Sequence, residues 1–171
     1  MAAESGSFAL VSLLLKADKG GMTPPLVERR DEEGCSPLML ACGAGDAPSV
    51  GLLLRASARV DEQSNDSFTP LMRAALYGHA DAVRVLLESP QLAPAGGAVV
   101  QSLVDFAKPD GFTALQLAAL QGQTAVVRLL LGARADVNLA NLEGVTPLMH
   151  ACKYGHSDAA RALLQLSLIH I

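Results

Sequence analysis

Among the four histidines and three cysteines of this chain, the densest grouping is His150, Cys152 and His156. A thiol and an imidazole four residues apart on one helix would share a face. Such a pair could ligate zinc or form a Cys–His nucleophile. Gly155 stands between them and should end the helix, which spoils the shared face. Cys152 also falls where related segments carry Cys42, Ala75 and Ala119, so it is expected to be a small buried residue. His79 and His156 each follow a glycine and are expected to make structural hydrogen bonds in a turn between helices. The run Asp31-Glu32-Glu33 suits a solvated turn better than paired catalytic carboxylates. Gly43-Ala44-Gly45 lacks the third glycine and the preceding strand of a dinucleotide fingerprint. There is no Gly-x-Ser-x-Gly elbow. No catalytic residue, metal site or cofactor is assigned, and the chain is expected not to be an enzyme.

The composition bounds the alternatives. The 171 residues suffice for one domain. Half are hydrophobic but only 4% aromatic, with no Trp, so the apolar content is mainly Ala, Leu and Val. That mixture suits closely packed helices and argues against an aromatic-rich β-sandwich. The net charge of −4 provides no basic footprint for nucleic acid. No apolar run reaches the ~18 residues that mark a membrane span. Cys35, Cys42 and Cys152 cannot all pair and show no C-x-x-C spacing, which points to a reducing compartment. The expected location is therefore intracellular, cytoplasmic first and nuclear second, with no signal peptide.

The elements that would carry any site repeat along the chain. Four segments align on a hydroxyl residue: Gly34-Cys-Ser-Pro-Leu-Met-Leu-Ala-Cys42, Ser67-Phe-Thr-Pro-Leu-Met-Arg-Ala-Ala75, Gly111-Phe-Thr-Ala-Leu-Gln-Leu-Ala-Ala119 and Gly144-Val-Thr-Pro-Leu-Met-His-Ala-Cys152. Ser36, Thr69, Thr113 and Thr146 are spaced by 33, 44 and 33 residues. A stripe follows in phase at Val50–Leu54, Val83–Leu87, Val127–Leu131 and Ala160–Leu164, with an isolated earlier copy at Val11–Leu15. The hydroxyl caps a helix, and Pro at the next position loses no needed N–H. Ala41, Ala74, Ala118 and Ala151 allow close helix approach. Gly45, Gly78, Gly122 and Gly155 stop the first helix in a left-handed conformation. The stripe marks a second helix, with Pro48 tolerated in the first turn of one copy. The extra residues of the long step lie near Ser89–Gln101, whose Pro90, Pro94, Gly96 and Gly97 predict a loop.

This pattern resembles the ankyrin repeat, with its period of 33 residues and its Thr-Pro-Leu-His-x-Ala core. The resemblance runs from about Asp31 to Leu164. The family's His is Met39, Met72, Gln116 and Met149 here, and the Gly of the Leu-Leu-Leu-x-x-Gly-Ala stretch is Ser57 and Arg134. It implies an all-α solenoid of stacked helix-turn-helix units with short β-hairpin tips. The expected organisation is a capping helix and loop over 1–30, a repeat over 31–63, and a repeat with an insertion about 89–101 over 64–107. A third repeat over 108–140 and a partial one over 141–165 follow. The apolar tail 166–171 reads as a truncated or non-native end.

The resemblance further implies protein binding through the hairpin tips and the exposed face of the inner helices. Mapped onto this chain, the inner positions are Leu40, Gly43 and Ala44, then Arg73, Leu76 and Tyr77. The third and fourth repeats supply Leu117, Leu120 and Gln121, then His150, Lys153 and Tyr154. The tip positions are Cys35, Phe68, Phe112 and Val145. Tyr and Arg are enriched in binding hot spots, which singles out Arg73, Tyr77 and Tyr154 together with Lys153. The bland alternative is that Tyr77 and Tyr154 pack between inner helices and that Phe68 and Phe112 pack the hairpins. The expectation is a noncatalytic adaptor or scaffold whose partner presents an acidic or amphipathic segment, with no nucleic acid and no membrane insertion. The alternative is the substrate-recruiting part of a larger enzyme-associated protein, such as a ubiquitin-ligase receptor.

Overall fold

The structure is a computed structural model describing residues 26–89 and 97–167. The expected capping helix before Leu26 and the tail beyond Ser167 lie outside the described residues. A 3-10 turn, Leu26–Glu28, precedes α1 (Pro37–Ala44), α2 (Ala47–Arg55), α3 (Pro70–Tyr77) and α4 (Ala80–Leu87). Then come α5 (Gly97–Val104), α6 (Ala114–Leu120), α7 (Thr124–Gly132), α8 (Pro147–Lys153) and α9 (Ser157–Ser167). The expected all-α solenoid is what forms. Inner helices α1, α3, α6 and α8 stack in order, and outer helices α2, α4, α7 and α9 stack behind them.

Each inner helix starts as its hydroxyl dictates. Ser36, Thr69, Thr113 and Thr146 accept from the backbone N–H of Met39, Met72, Gln116 and Met149, satisfying a donor that has no partner inside the helix. Between the helix layers, Leu38, Val50, Leu71, Val83, Leu115, Val127 and Leu130 are buried in one continuous core.

The glycines that end the inner helices have a second task. Gly45 (φ +74°) and Gly122 (φ +69°) adopt the left-handed conformation that side chains resist. A Cβ on Gly122 would also stand 2.5 Å from Nδ1 of His156, and one on Gly45 would stand 2.5 Å from Nδ1 of His79. Each histidine thus leans over the glycine of the preceding repeat. His79 and His156 donate from Nε2 to the carbonyls of Gly43 and Leu120, both at 3.0 Å. The hydrogen bonds expected inside one turn tie consecutive repeats together instead.

Four tips repeat one tight turn, closed by Asp31 N–H to Cys35 O, Ser64 to Phe68, Lys108 to Phe112 and Asn141 to Val145. Among the described residues, pairing goes no further than one antiparallel bridge, Ala107 with Thr113. Neighbouring tips are joined where Asn65 N–H donates to Glu33 O (2.9 Å) and Leu142 N–H to Asp110 O (3.1 Å). Pro109 occupies the corresponding position of the third tip and has no N–H to give. There the link is made by side chains: Lys108 Nζ sits 4.1 Å from the centroid of the Phe68 ring.

Two sequence expectations change. The segment Gly97–Gln101, read as loop, begins α5. Its apolar run Ala98-Val99-Val100 leads into Leu103 and Val104, both buried. Gln101 in α5 donates to Arg134 O (2.8 Å), and Asp105 just after it accepts from Asp136 N–H (2.9 Å), which ties α5 to the next repeat. Cys152, expected to be buried, is exposed. Cys42, Ala75 and Ala119 are buried because a following inner helix covers them, whereas no inner helix follows α8 among the described residues.

Candidate functional site

The inner-helix face and the first two tips meet around α3. Capping by Thr69 sets the helix direction, so Arg73, Leu76 and Tyr77 project one turn apart towards the first two tips. They line a concavity of about 250 Å³ with Phe68, Glu33 and Asp66. Four of the residues singled out in the sequence (Phe68, Arg73, Leu76 and Tyr77) therefore meet in one place. Tyr77 is 55% exposed with its ring lying over Gly43, and is not packed away between helices.

Arg73 is held from several sides. Its Nη2 donates to Cys35 Sγ (2.9 Å) and lies 4.0 Å from Glu33, and the guanidinium sits 5.9 Å from the Phe68 centroid. Its Nε is enclosed with no hydrogen-bond partner among the described residues. Burial raises the Cys35 thiol pKa against the opposing pull of Arg73, which keeps that sulfur neutral. Asp66 is held below the usual carboxylate range, first by the hydrogen bond it accepts from Ser64 and further by the positive charges of Arg73 and Lys108. Lys108 itself pairs with Asp110 at 3.2 Å.

The fourth repeat behaves differently. Tyr154 is 52% exposed, with Lys153 Nζ 5.5 Å from its ring centroid. Lys153 and Gln121 are exposed, and Leu120 is half-buried. Two expected surface residues are removed from it. Leu117 is 5% exposed and belongs to the core. His150 is 6% exposed, its ring 5.3 Å from that of Phe112, which covers it. Among the described residues, neither ring nitrogen of His150 has a hydrogen-bond partner. Burial, followed by the charge of Lys153, lowers its pKa, with Glu143 opposing.

Among the remaining tip and inner positions, Leu40 and Ala44 are exposed, Gly43, Phe112 and Val145 are half-buried, and Cys35 is buried. Among the described residues, no three His, Cys, Asp or Glu side chains are placed to share a metal ion. His156 is turned away from Cys152 towards Leu120 O. Sequence reasoning missed Glu33 and Asp66 as parts of the concavity, having read the Asp31-Glu32-Glu33 run as a solvated turn and taken only Cys35, Phe68, Phe112 and Val145 as tip positions. Their matching positions in the repeat, three residues before Ser36 and Thr69, were the available signal.

Comparison with known proteins agrees with this architecture. The family model of ankyrin repeats (3 copies) matches residues 1–94 and 91–170. The chain is 32% identical over 94 residues to the ankyrin repeat and KH domain-containing protein mask-1 of Caenorhabditis elegans, covering 55% of this chain and 3% of that protein. It is 38% identical over 63 residues to the human transient receptor potential cation channel subfamily A member 1, covering 37% of this chain and 6% of that protein. The chain thus spans a small fraction of the length of these relatives. With four in-phase helix pairs and a family match along nearly its whole length, the chain belongs to the ankyrin-repeat family.

Proposed function

We propose that this chain is a noncatalytic adaptor or scaffold module that holds an amphipathic or acidic segment of a partner protein along its inner-helix face. Ankyrin repeats generally mediate protein–protein interaction. The observation that carries the reading here is the convergence of Phe68, Arg73, Leu76 and Tyr77 on one concavity beside the tips. Exposed tyrosines contribute large contact area at low entropic cost, which suits a binding face. Lys153 and Tyr154 extend that face to the fourth repeat, where a positive charge is available to an acidic group.

The test is affinity capture with the wild type and an Arg73→Glu/Tyr77→Ala/Lys153→Glu/Tyr154→Ala variant, both checked for helicity and cooperative melting. Partners bound by the wild type and lost by the folded variant support the inner-face reading. Identical partners on both baits move the site to the outer surfaces or the 89–101 insertion. No specific partner for either bait counts against the adaptor reading itself.

A further inference from the structure

We propose that the concavity between the second tip and α3 seats a basic side chain, lysine or arginine, from the bound segment. The proposal rests on the inner-face reading above and adds the chemistry of one contact. The volume of about 250 Å³ corresponds to roughly eight waters at ~30 Å³ each. That suits one long side chain, and it falls below the ~300–1,000 Å³ typical of small-molecule sites.

The charges decide the sign. Two carboxylates and one guanidinium line the concavity. Both carboxylates are exposed, the Glu33 side chain at 78%, whereas that of Arg73 is only 16% exposed. An incoming group therefore meets a carboxylate before it reaches the guanidinium. Nη2 of Arg73 is also engaged with Cys35 and near Glu33, and its Nε is enclosed. The nearby Lys108 stands against the Phe68 ring and is paired with Asp110. Asp66 stays ionised below the usual carboxylate range. An incoming carboxylate would face Glu33 and Asp66 together. An incoming ammonium or guanidinium would gain both, with its aliphatic stem on Leu76 and its charge near the exposed face of Tyr77.

The polarity of the bound segment follows. Inner helices pack ~8–10 Å apart, so α3 and α8, two steps away, are separated by roughly 18 Å. An extended chain covers that in about five or six residues. A segment with a basic residue at α3 and an acidic group near Lys153 satisfies both ends of the face.

The experiment is a random-peptide display selection on the wild-type chain. It is followed by fluorescence-polarisation titration of the best selected peptide and of the same peptide with its basic residue changed to Gln. Both are titrated against the wild type, Glu33→Gln/Asp66→Asn and Lys153→Gln proteins. Asn at position 66 can still accept from Ser64, and melting curves check that each protein is folded. The expected result is a shared Lys or Arg in the selected peptides. At least tenfold should be lost in Kd on changing that residue or on neutralising Glu33 and Asp66, and the basic preference should persist in Lys153→Gln. Selected peptides without a basic residue, or unchanged affinity in Glu33→Gln/Asp66→Asn, would overturn the proposal while leaving the inner-face reading standing. Peptides that bind a folded Tyr77→Ala/Tyr154→Ala protein, which leaves the charges of the face unchanged, as well as the wild type, or no selected peptide at all, would overturn both.

Discussion

His156 donates from Nε2 to the carbonyl of Leu120 in the preceding repeat, 3.0 Å away. The imidazole reaches it by lying over Gly122, where a Cβ would be 2.5 Å from Nδ1. Gly122→Ala therefore carries two penalties, the left-handed φ of +69° and the displacement of the ring. A loss of about 2–4 kcal/mol is expected, combining ~1–2 kcal/mol for the conformation with ~1–2 for the broken contact. His156→Ala should cost about 1 kcal/mol, and should cost less in the Gly122→Ala background, where the bond is already disturbed. Urea unfolding of the four proteins measures this. Full additivity would show that the ring and the glycine are energetically independent.

Gln116 makes the connection that methionine cannot make in the other repeats. Its Nε2 donates to Leu139 O (2.8 Å) and Val145 O (3.1 Å), and its Oε1 accepts from Thr113 N–H. Gln116→Met places the residue found at positions 39, 72 and 149, yet it removes the donor to one carbonyl of the fourth tip, Val145, and to one just before it, Leu139. The expected destabilisation is ~1–3 kcal/mol. Hydrogen exchange should also speed up at Val145 and Gly144 more than in α3. Uniform change along the chain would mean that the bond is not specific to the fourth tip.

Ser57 (φ +67°) and Arg134 (φ +66°) stand in left-handed conformations where the repeat pattern has Gly. The contacts made through these residues use the backbone: Ser57 N–H donates to Leu54 O, and Arg134 O accepts from Gln101. Ser57→Gly and Arg134→Gly keep both bonds and relieve ~1–2 kcal/mol of conformational strain. Glycine's larger unfolded-state entropy offsets part of this, leaving a gain of about 0.5–1 kcal/mol each. Denaturation midpoints check it, and a loss of stability in either variant would falsify the strain account.

What the sequence made legible is whatever repeats in phase. The hydroxyl caps, the stopping glycines and the two helix stripes each follow from local chemistry, and each forms as expected. Three features were not legible because they depend on a neighbouring repeat. Leu117 and His150 share the register of exposed Leu40, yet they are buried; His150 is covered by the Phe112 ring of the preceding tip. Cys152 matches Cys42 in sequence, but its burial depends on a following inner helix. Glu33 joins Arg73 and Tyr77 from a tip some 40 residues earlier in the chain. Helix α5 lay in an insertion with no second copy for comparison.

His150 should make stability depend on pH. Its ring is buried with neither nitrogen hydrogen-bonded among the described residues, and burial followed by Lys153 lowers its pKa below the ordinary value of 6.5. The unfolded chain then binds the proton more readily than the folded one. The contribution is present above the unfolded pKa and is lost as pH falls from about 6.5 towards the folded pKa. The thermal midpoint of the wild type should therefore drop more between pH 7.5 and 5.5 than that of His150→Leu. Equal slopes would mean that the buried imidazole reaches solvent when it protonates.

Phe68 decides how the second tip is read, because the same ring faces both the concavity and Lys108. With Pro109 unable to donate, the pair of Lys108 Nζ and the Phe68 ring at 4.1 Å stands where other tips have a backbone hydrogen bond. The Lys108 side chain is only 14% exposed, so little water screens the contact. A double-mutant cycle with Lys108→Gln and Phe68→Leu should give a coupling of ~0.5–1 kcal/mol, the size of a partly desolvated cation–π pair. Leu retains apolar packing, so the cycle isolates the ring's interaction with the charge. Zero coupling would mean that Phe68 contributes packing alone to the tip. It would also leave the third tip joined to the second through α3 and α6 rather than through this pair. The two single variants are informative for binding as well: Lys108→Gln removes a positive charge beside Asp66 and should strengthen a basic ligand's hold, whereas Phe68→Leu should weaken it.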